Sequence, residues 1–90
     1  MFFNFFEKEK IKKGSSYAVL RGDYYGEIFI FFKKMNNILY FVSLPKMEIR
    51  EVDTNKFEIG LKEKIIEFID IIPYNTYKVV EKHGKNTLKK

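Results

Sequence analysis

Few side chains in this sequence are equipped for covalent or acid–base chemistry. There is one histidine, His83, and no cysteine, so a thiol nucleophile and a multi-histidine metal site are both excluded within the chain. A serine–histidine pair would have to recruit His83 from the lysine-rich stretch after Glu81, which reads as a mobile polar tail. The carboxylates are scattered. Glu63, Glu67 and Asp70 would line one face of a helix, but Lys56, Lys62 and Lys64 flank them, and a solvated face with i,i+4 pairing accounts for that spacing. Gly22 and Gly26 join two strands instead of leading into a helix with Lys-Ser or Lys-Thr, so no phosphate loop is expected. These gaps point away from an enzyme and imply no cofactor or metal, although two positioned carboxyls suffice for general acid–base work.

Binding is better served. Tyr24 and Tyr25 fall at the tip of the first hairpin, where adjacent aromatics have no obvious core to enter, and Arg21 stands close by. Tyr and Arg are enriched where proteins anchor in a partner's pocket and where they stack on bases. The alternative is that one of the two tyrosines folds back onto the sheet. Lys33 and Lys34 at the next turn, with Lys82 and Lys85 near the end, would add phosphate attraction; lysines at strand ends also block edge-to-edge aggregation.

The elements that must carry these residues are mostly strands. Ser16 to Arg21 reads as a first strand, and Gly22-Asp23-Tyr24-Tyr25-Gly26 as a turn with two glycines free to take positive φ. Glu27 to Lys34 is a second strand, Met35-Asn36-Asn37 a tight connection and Ile38 to Leu44 a third, giving an antiparallel meander that Pro45 stops. Met47, Ile49 and Val52 allow a short fourth strand. Asp53 or Thr54 can cap a helix, and Phe57, Leu61, Ile65, Phe68 and Ile72 recur at helical spacing, which predicts a helix from about 54 to 71 ended by Pro73. Against it stand Gly60 and the β-branched run through Ile65, Ile66, Ile69, Ile71 and Ile72, which allow instead a short helix through Leu61 and a strand from Ile65 to Ile71. Thr76 to Val80 reads as a final strand.

Both faces of the second and third strands are apolar. Phe29, Phe31 and Phe41 alternate with Ile28, Ile30, Phe32, Tyr40 and Val42. Such a hairpin must be covered twice. The second cover is expected from the predicted helix, from the Phe-rich start Met1-Phe2-Phe3-Asn4-Phe5-Phe6, or from another subunit, so a homodimer is one expectation. That start is too short for a membrane span and lacks the features of a signal peptide, so a cytoplasmic location is expected. With the mostly charged run Glu7 to Lys13 it allows a short amphipathic turn at a bilayer surface, but so short a segment gives little anchoring area and the favoured reading is a cap on the core or a dimer contact.

The formal charge of +5 suggests an anionic partner until it is located along the chain. Residues 1 to 13 carry four lysines against Glu7 and Glu9, and residues 82 to 90 carry four lysines and no acid, which leaves the body at −1. Lys, Asn, Ile, Phe and Tyr supply 48 of the 90 residues, all written with A- and T-rich codons, so part of the lysine reflects codon usage. With only Arg21 and Arg50 for bidentate contacts, a dedicated sequence reader is disfavoured.

The stretch from Lys13 through Gly14, Tyr17, Val19, Gly22 and Gly26 to Ile30 resembles a KOW motif, the hairpin that opens an SH3-like barrel in ribosomal and transcription-elongation proteins. Ser15 stands where that motif usually has Asp, and Phe29 where a third Gly is common. A broader similarity runs through Gly22-Asp23-Tyr24-Tyr25-Gly26-Glu27, Phe41-Val42-Ser43-Leu44-Pro45, Lys56 to Lys62, Pro73 and Tyr77-Lys78-Val79-Val80; it resembles short accessory proteins of T4-type tailed phages. The expectation is therefore an α+β domain: a small SH3-like barrel, or a strongly bent antiparallel sheet of four or five strands, with one helix. Its expected role is to bind a protein of the transcription, translation or replication machinery, with direct nonspecific nucleic-acid binding as the alternative.

Overall fold

The computed structural model describes residues 11–89. Five strands, β1 (Ser15–Val19), β2 (Ile28–Met35), β3 (Ile38–Leu44), β4 (Glu48–Asp53) and β5 (Ile66–Ile71), form one antiparallel sheet in the order β4-β3-β2-β1-β5. The sheet is open, with β4 and β5 as its edges. Helix α1 (Thr54–Lys62) links the last two strands and α2 (Tyr74–Leu88) follows them. The Phe-rich start Met1 to Phe6, assigned to core capping or a dimer contact, lies outside the described residues.

The meander forms where the turn residues place it. Asn36 takes a φ of 57° between β2 and β3, a left-handed conformation that asparagine tolerates better than most residues. Asp53 starts α1: its Oδ1 accepts from the backbone N–H groups of Asn55 at 2.8 Å and Lys56 at 3.4 Å.

The predicted helix over 54 to 71 is corrected to half its length. Lys64 turns left-handed with a φ of 61°, the Ile65 N–H donates to the Gly60 carbonyl at 2.8 Å, and the chain returns as β5. Gly60 matters here because a Cβ on it would lie 3.2 Å from the Ile66 side chain. Pairing with the open side of β1 and the β-branched run outweigh the helical periodicity.

A second correction falls on residues 74 to 88, expected as a strand over 76 to 80 and a mobile tail. They are one helix of fifteen residues. Tyr77, Val80, Glu81, Gly84 and Leu88 fall on one side of it, and that side lies on the face of the sheet formed by Ile30, Phe32 and Val42. Burial of that stripe overrides the β propensity of Thr76-Tyr77-Lys78-Val79-Val80. Contact is close: a Cβ on Gly84 would sit 2.6 Å from the Phe32 ring, and Phe32 is fully buried. His83 Nε2 lies 2.7 Å from the Met47 carbonyl, tying the helix to the β3–β4 turn.

The core is thus two layers of side chains, one on each face. Tyr17, Val19, Phe29, Phe31, Leu39 and Phe41 pack with Phe57 of α1 and Ile66 of β5 on the first face. Ile30, Phe32 and Val42 pack with Tyr77 and Val80 of α2 on the second. With α2 in that place, the two-faced hairpin no longer requires a second subunit as its cover.

Candidate interaction surface

One end of the sheet gathers the β1–β2 loop, the β3–β4 turn and the start of β5. The Leu20 N–H donates to the Ile65 carbonyl at 2.7 Å, and Arg21 Nη2 donates to the Glu63 carbonyl. Gly22 and Gly26, at φ of 96° and 92°, let the loop fold on itself, with Glu27 N–H donating to the Tyr24 carbonyl at 3.0 Å.

Tyr24 and Tyr25 have separate fates. The Tyr24 ring tilts onto Phe29 with centroids 6.1 Å apart, and the Arg50 guanidinium lies 4.1 Å from its centroid on the other contact. Arg50 is itself fixed: Nε and Nη2 donate to the two oxygens of Glu27 at 3.1 Å each, and Nη2 donates to Glu48 at 2.8 Å. Ser43 Oγ donates to Glu27 at 2.6 Å. The hydrogen bonds from Arg50 hold the Glu27 carboxyl below its ordinary range, and Glu27 in turn raises Arg50. This network clamps Tyr24 and leaves Tyr25 free at 73% exposure. The loop is a braced platform that shows two aromatics, Tyr24 held in place at 45% exposure and Tyr25 free.

A depression of about 140 Å³ opens beside the network, between Glu27, Ser43, Pro45, Lys46 and Arg50. It is smaller than the few hundred Å³ usual for sites that enclose a small organic ligand.

The basic residues do not join this end. Lys33 and Lys34 sit at the far end of β2, roughly 20 Å from the loop at the ordinary rise of a strand. Lys82 and Lys85 lie on α2, where Lys85 Nζ is 3.3 Å from Glu81. Glu81 is nine-tenths buried; it also accepts from Lys78 Nζ at 2.9 Å and from the Tyr77 hydroxyl at 3.0 Å. The Lys78 hydrogen bond leads in pulling its pKa down to about 2, while burial and the neighbouring carboxylate push the Tyr77 hydroxyl far up. Of the seven residues singled out in the sequence, Arg21, Tyr24 and Tyr25 share the β1–β2 loop with their side chains turned to different partners, and Lys33, Lys34, Lys82 and Lys85 lie elsewhere.

What the sequence reading held only as its alternative, a short helix and then a strand from Ile65 to Ile71, is what the chain forms, and the exposure of that strand, β5, is what it missed. Five of its six residues are exposed, with Phe68, Ile69 and Ile71 at 50%, 50% and 46%. Phe68 rests against Tyr17, ring centroids 5.6 Å apart, and its outer half faces solvent. Its signal was present in the β-branched run, but a helical assignment placed these residues on a packed face.

Among the described residues, no three His, Cys, Asp or Glu side chains come together as metal ligands, and no helix is long and apolar enough to cross a membrane. Comparison with protein-family models, with curated proteins and with solved structures gives no match.

Proposed function

We propose that this chain is a non-catalytic binding module that engages a protein partner, an accessory factor of the kind that short phage proteins supply to the transcription, translation or replication machinery. The observation that carries this reading is the apolar run Phe68, Ile69 and Ile71, half-exposed on an edge strand and joined at its start to Leu20 and the Tyr25 loop. Against catalysis stand the fixed roles of the ionisable groups. Glu27 and Glu81 are held ionised by cations, which makes both poor proton shuttles near neutrality, and His83 Nε2 is occupied by the Met47 carbonyl. An SH3-like fold is the finer reading, supported by the β4-β3-β2-β1-β5 order and a short helix between the last two strands.

Capture from an extract of the cells of origin tests the function. A protein retained at high salt by the wild type and lost with Leu20→Ser and Tyr25→Ala together is the expected result. Recovery of nucleic acid alone, released by moderate salt, overturns it.

One observation favours the nucleic-acid alternative. Lys78, Lys82 and Lys85 of α2 and Lys89 at its C-cap recur at i, i+4, i+7 and i+11, a stripe about 16 Å long. Glu81 already holds two of them. For this reading, Glu81→Gln should strengthen binding to generic DNA and steepen its salt dependence; no change with Glu81→Gln counts against it.

A further inference from the structure

The hydrogen-bond phase of the β1–β5 ladder decides which backbone groups of β5 look outward. The Leu20 N–H donates to the Ile65 carbonyl, and Ala18 pairs with Glu67, so these are the bonded pairs of an antiparallel ladder. Val19 and Tyr17, opposite Ile66 and Phe68, lie between them, and Val19 accordingly bonds the other way, to Gly26 and Glu27. The N–H and C=O groups of Ile66 and Phe68 therefore point away from the sheet. Ile71 has its N–H occupied by the Asp70 carboxylate at 2.7 Å, which closes the far end of the row.

The side chains on this edge are sorted by face. Register puts Ile66 and Phe68 opposite Val19 and Tyr17 on the first face, and puts Glu67 and Asp70 opposite Ala18 and Ser16 on the second, with an irregularity between Ser16 and Tyr17 absorbing Ile69. The strand holds two acids and no base, in a chain whose net charge is +5.

We propose that β5 is a strand-addition site for an extended segment of a partner protein in which basic and apolar side chains alternate. The proposal rests on the protein-binding reading above and names the chemistry of its partner. Main-chain pairing would come chiefly from half-exposed Phe68, with the outward backbone groups of the otherwise buried Ile66 adding to it, apolar contact from the exposed half of Phe68, and selectivity from Glu67 and Asp70 on the other face. A second copy of β5 is the poorer occupant: in any antiparallel self-pairing, Glu67 and Asp70 meet only acids and apolar residues of their twin. A basic strand meets them with opposite charge.

The probe is a pair of capped heptapeptides, one alternating lysine with valine and one alternating glutamate with valine, titrated into the full chain and followed by amide NMR. The lysine peptide should shift the Ile66 and Phe68 signals saturably and bind about tenfold tighter than the glutamate peptide. Glu67→Lys should reverse that order while leaving the far-ultraviolet circular dichroism unchanged. A lysine peptide with proline in place of valine keeps the charge and should not bind, since it cannot donate to the strand. Preference for the glutamate peptide, which net charge alone would give, overturns the proposal. So do equal affinities, binding of the proline version, or shifts confined to α2. A dimer in sedimentation with the Ile66 and Phe68 amides already protected assigns the edge to a second copy and overturns it as well. Failure here beside salt-resistant capture of a protein sinks strand addition alone; failure of capture sinks the wider reading in a separate assay.

Discussion

Phe41 and Val42 are neighbours on β3, both fully buried, and they point to opposite faces that are closed by different means. On the first face the aromatic side chains pack largely on one another: Phe41 touches Tyr17, Phe29, Phe31 and Phe57 with ring centroids 5.3 to 6.2 Å apart, and α1 adds mainly Phe57. On the second face Phe32 and Val42 depend on a helix laid across the sheet, seated through Gly84 and pinned by His83. A layer closed by many rings has spare contacts when one is removed. The layer closed by one helix has a single point of approach, and damage there removes the whole cover.

The sharpest test of that difference is deletion of one ring from each face. Phe57→Ala and Phe32→Ala should each cost about 3–5 kcal/mol in urea unfolding. Hydrogen exchange should then part them: Phe32→Ala raises exchange throughout α2, whereas Phe57→Ala leaves α2 protected. Equal loosening of both helices would erase the contrast.

Gly84→Ala should cost about 2 kcal/mol, because the added Cβ meets a ring with nowhere to go, and that penalty exceeds the ~1 kcal/mol that alanine gains over glycine in a helix. Combining it with Phe32→Leu should recover part of the loss. A strictly additive double mutant would mean the helix rests elsewhere.

Acid should act on the second face first. Glu81 has an ordinary value near 4.5 and a folded value of about 2, so its stabilising contribution is complete above pH 4.5 and is lost as pH falls toward 2. Given its surface-lying lysine partners the effect is about 1 kcal/mol. In thermal melts Glu81→Gln should be the less stable protein at pH 7 and lose less on going to pH 3. Glu27, also lowered, contributes loss in the same range and survives in that variant.

The smallest effect belongs to the loop. Arg50→Gln should cost under about 1 kcal/mol, since the pair with Glu27 lies near the surface, yet it should free Tyr24 to be quenched by iodide almost as readily as Tyr25. Unchanged quenching would show that Phe29 alone holds the ring.

The meander was legible because each of its turns carries its own chemistry in consecutive residues: Gly22 and Gly26, Asn36 and Asn37, Pro45, then Asp53 as a cap. Segments whose state depends on a distant surface were not. Residues 65 to 71 carry a helical period and a β-branched composition together, and only the vacant side of β1, about fifty residues earlier in the chain, decides between them. Residues 74 to 88 look like a strand and a tail until Tyr77, Val80, Gly84 and Leu88 are aligned against the bare face that holds Phe32. At the candidate surface, both tyrosines were visible as loop-tip aromatics, one of them expected to fold back in the alternative reading, but which of the two was not legible. Arg50 was invisible as its clamp, because the pairing of β4 with β3 and β3 with β2 is what carries it to Glu27.

Helix α2 follows all the strands among the described residues, and this order has a consequence for how the chain closes. A nascent chain that has emerged only as far as Pro73 already owns all five strands, and its first face can close around Phe41 and Phe57. Ile30, Phe32 and Val42 meanwhile lack the cover that α2 gives them, a patch of the kind that drives association of unfinished proteins. Until residues 74 to 88 have wound and docked, the second face has the sheet without its helix, so the last segment of the chain to form is also the one that closes the fold.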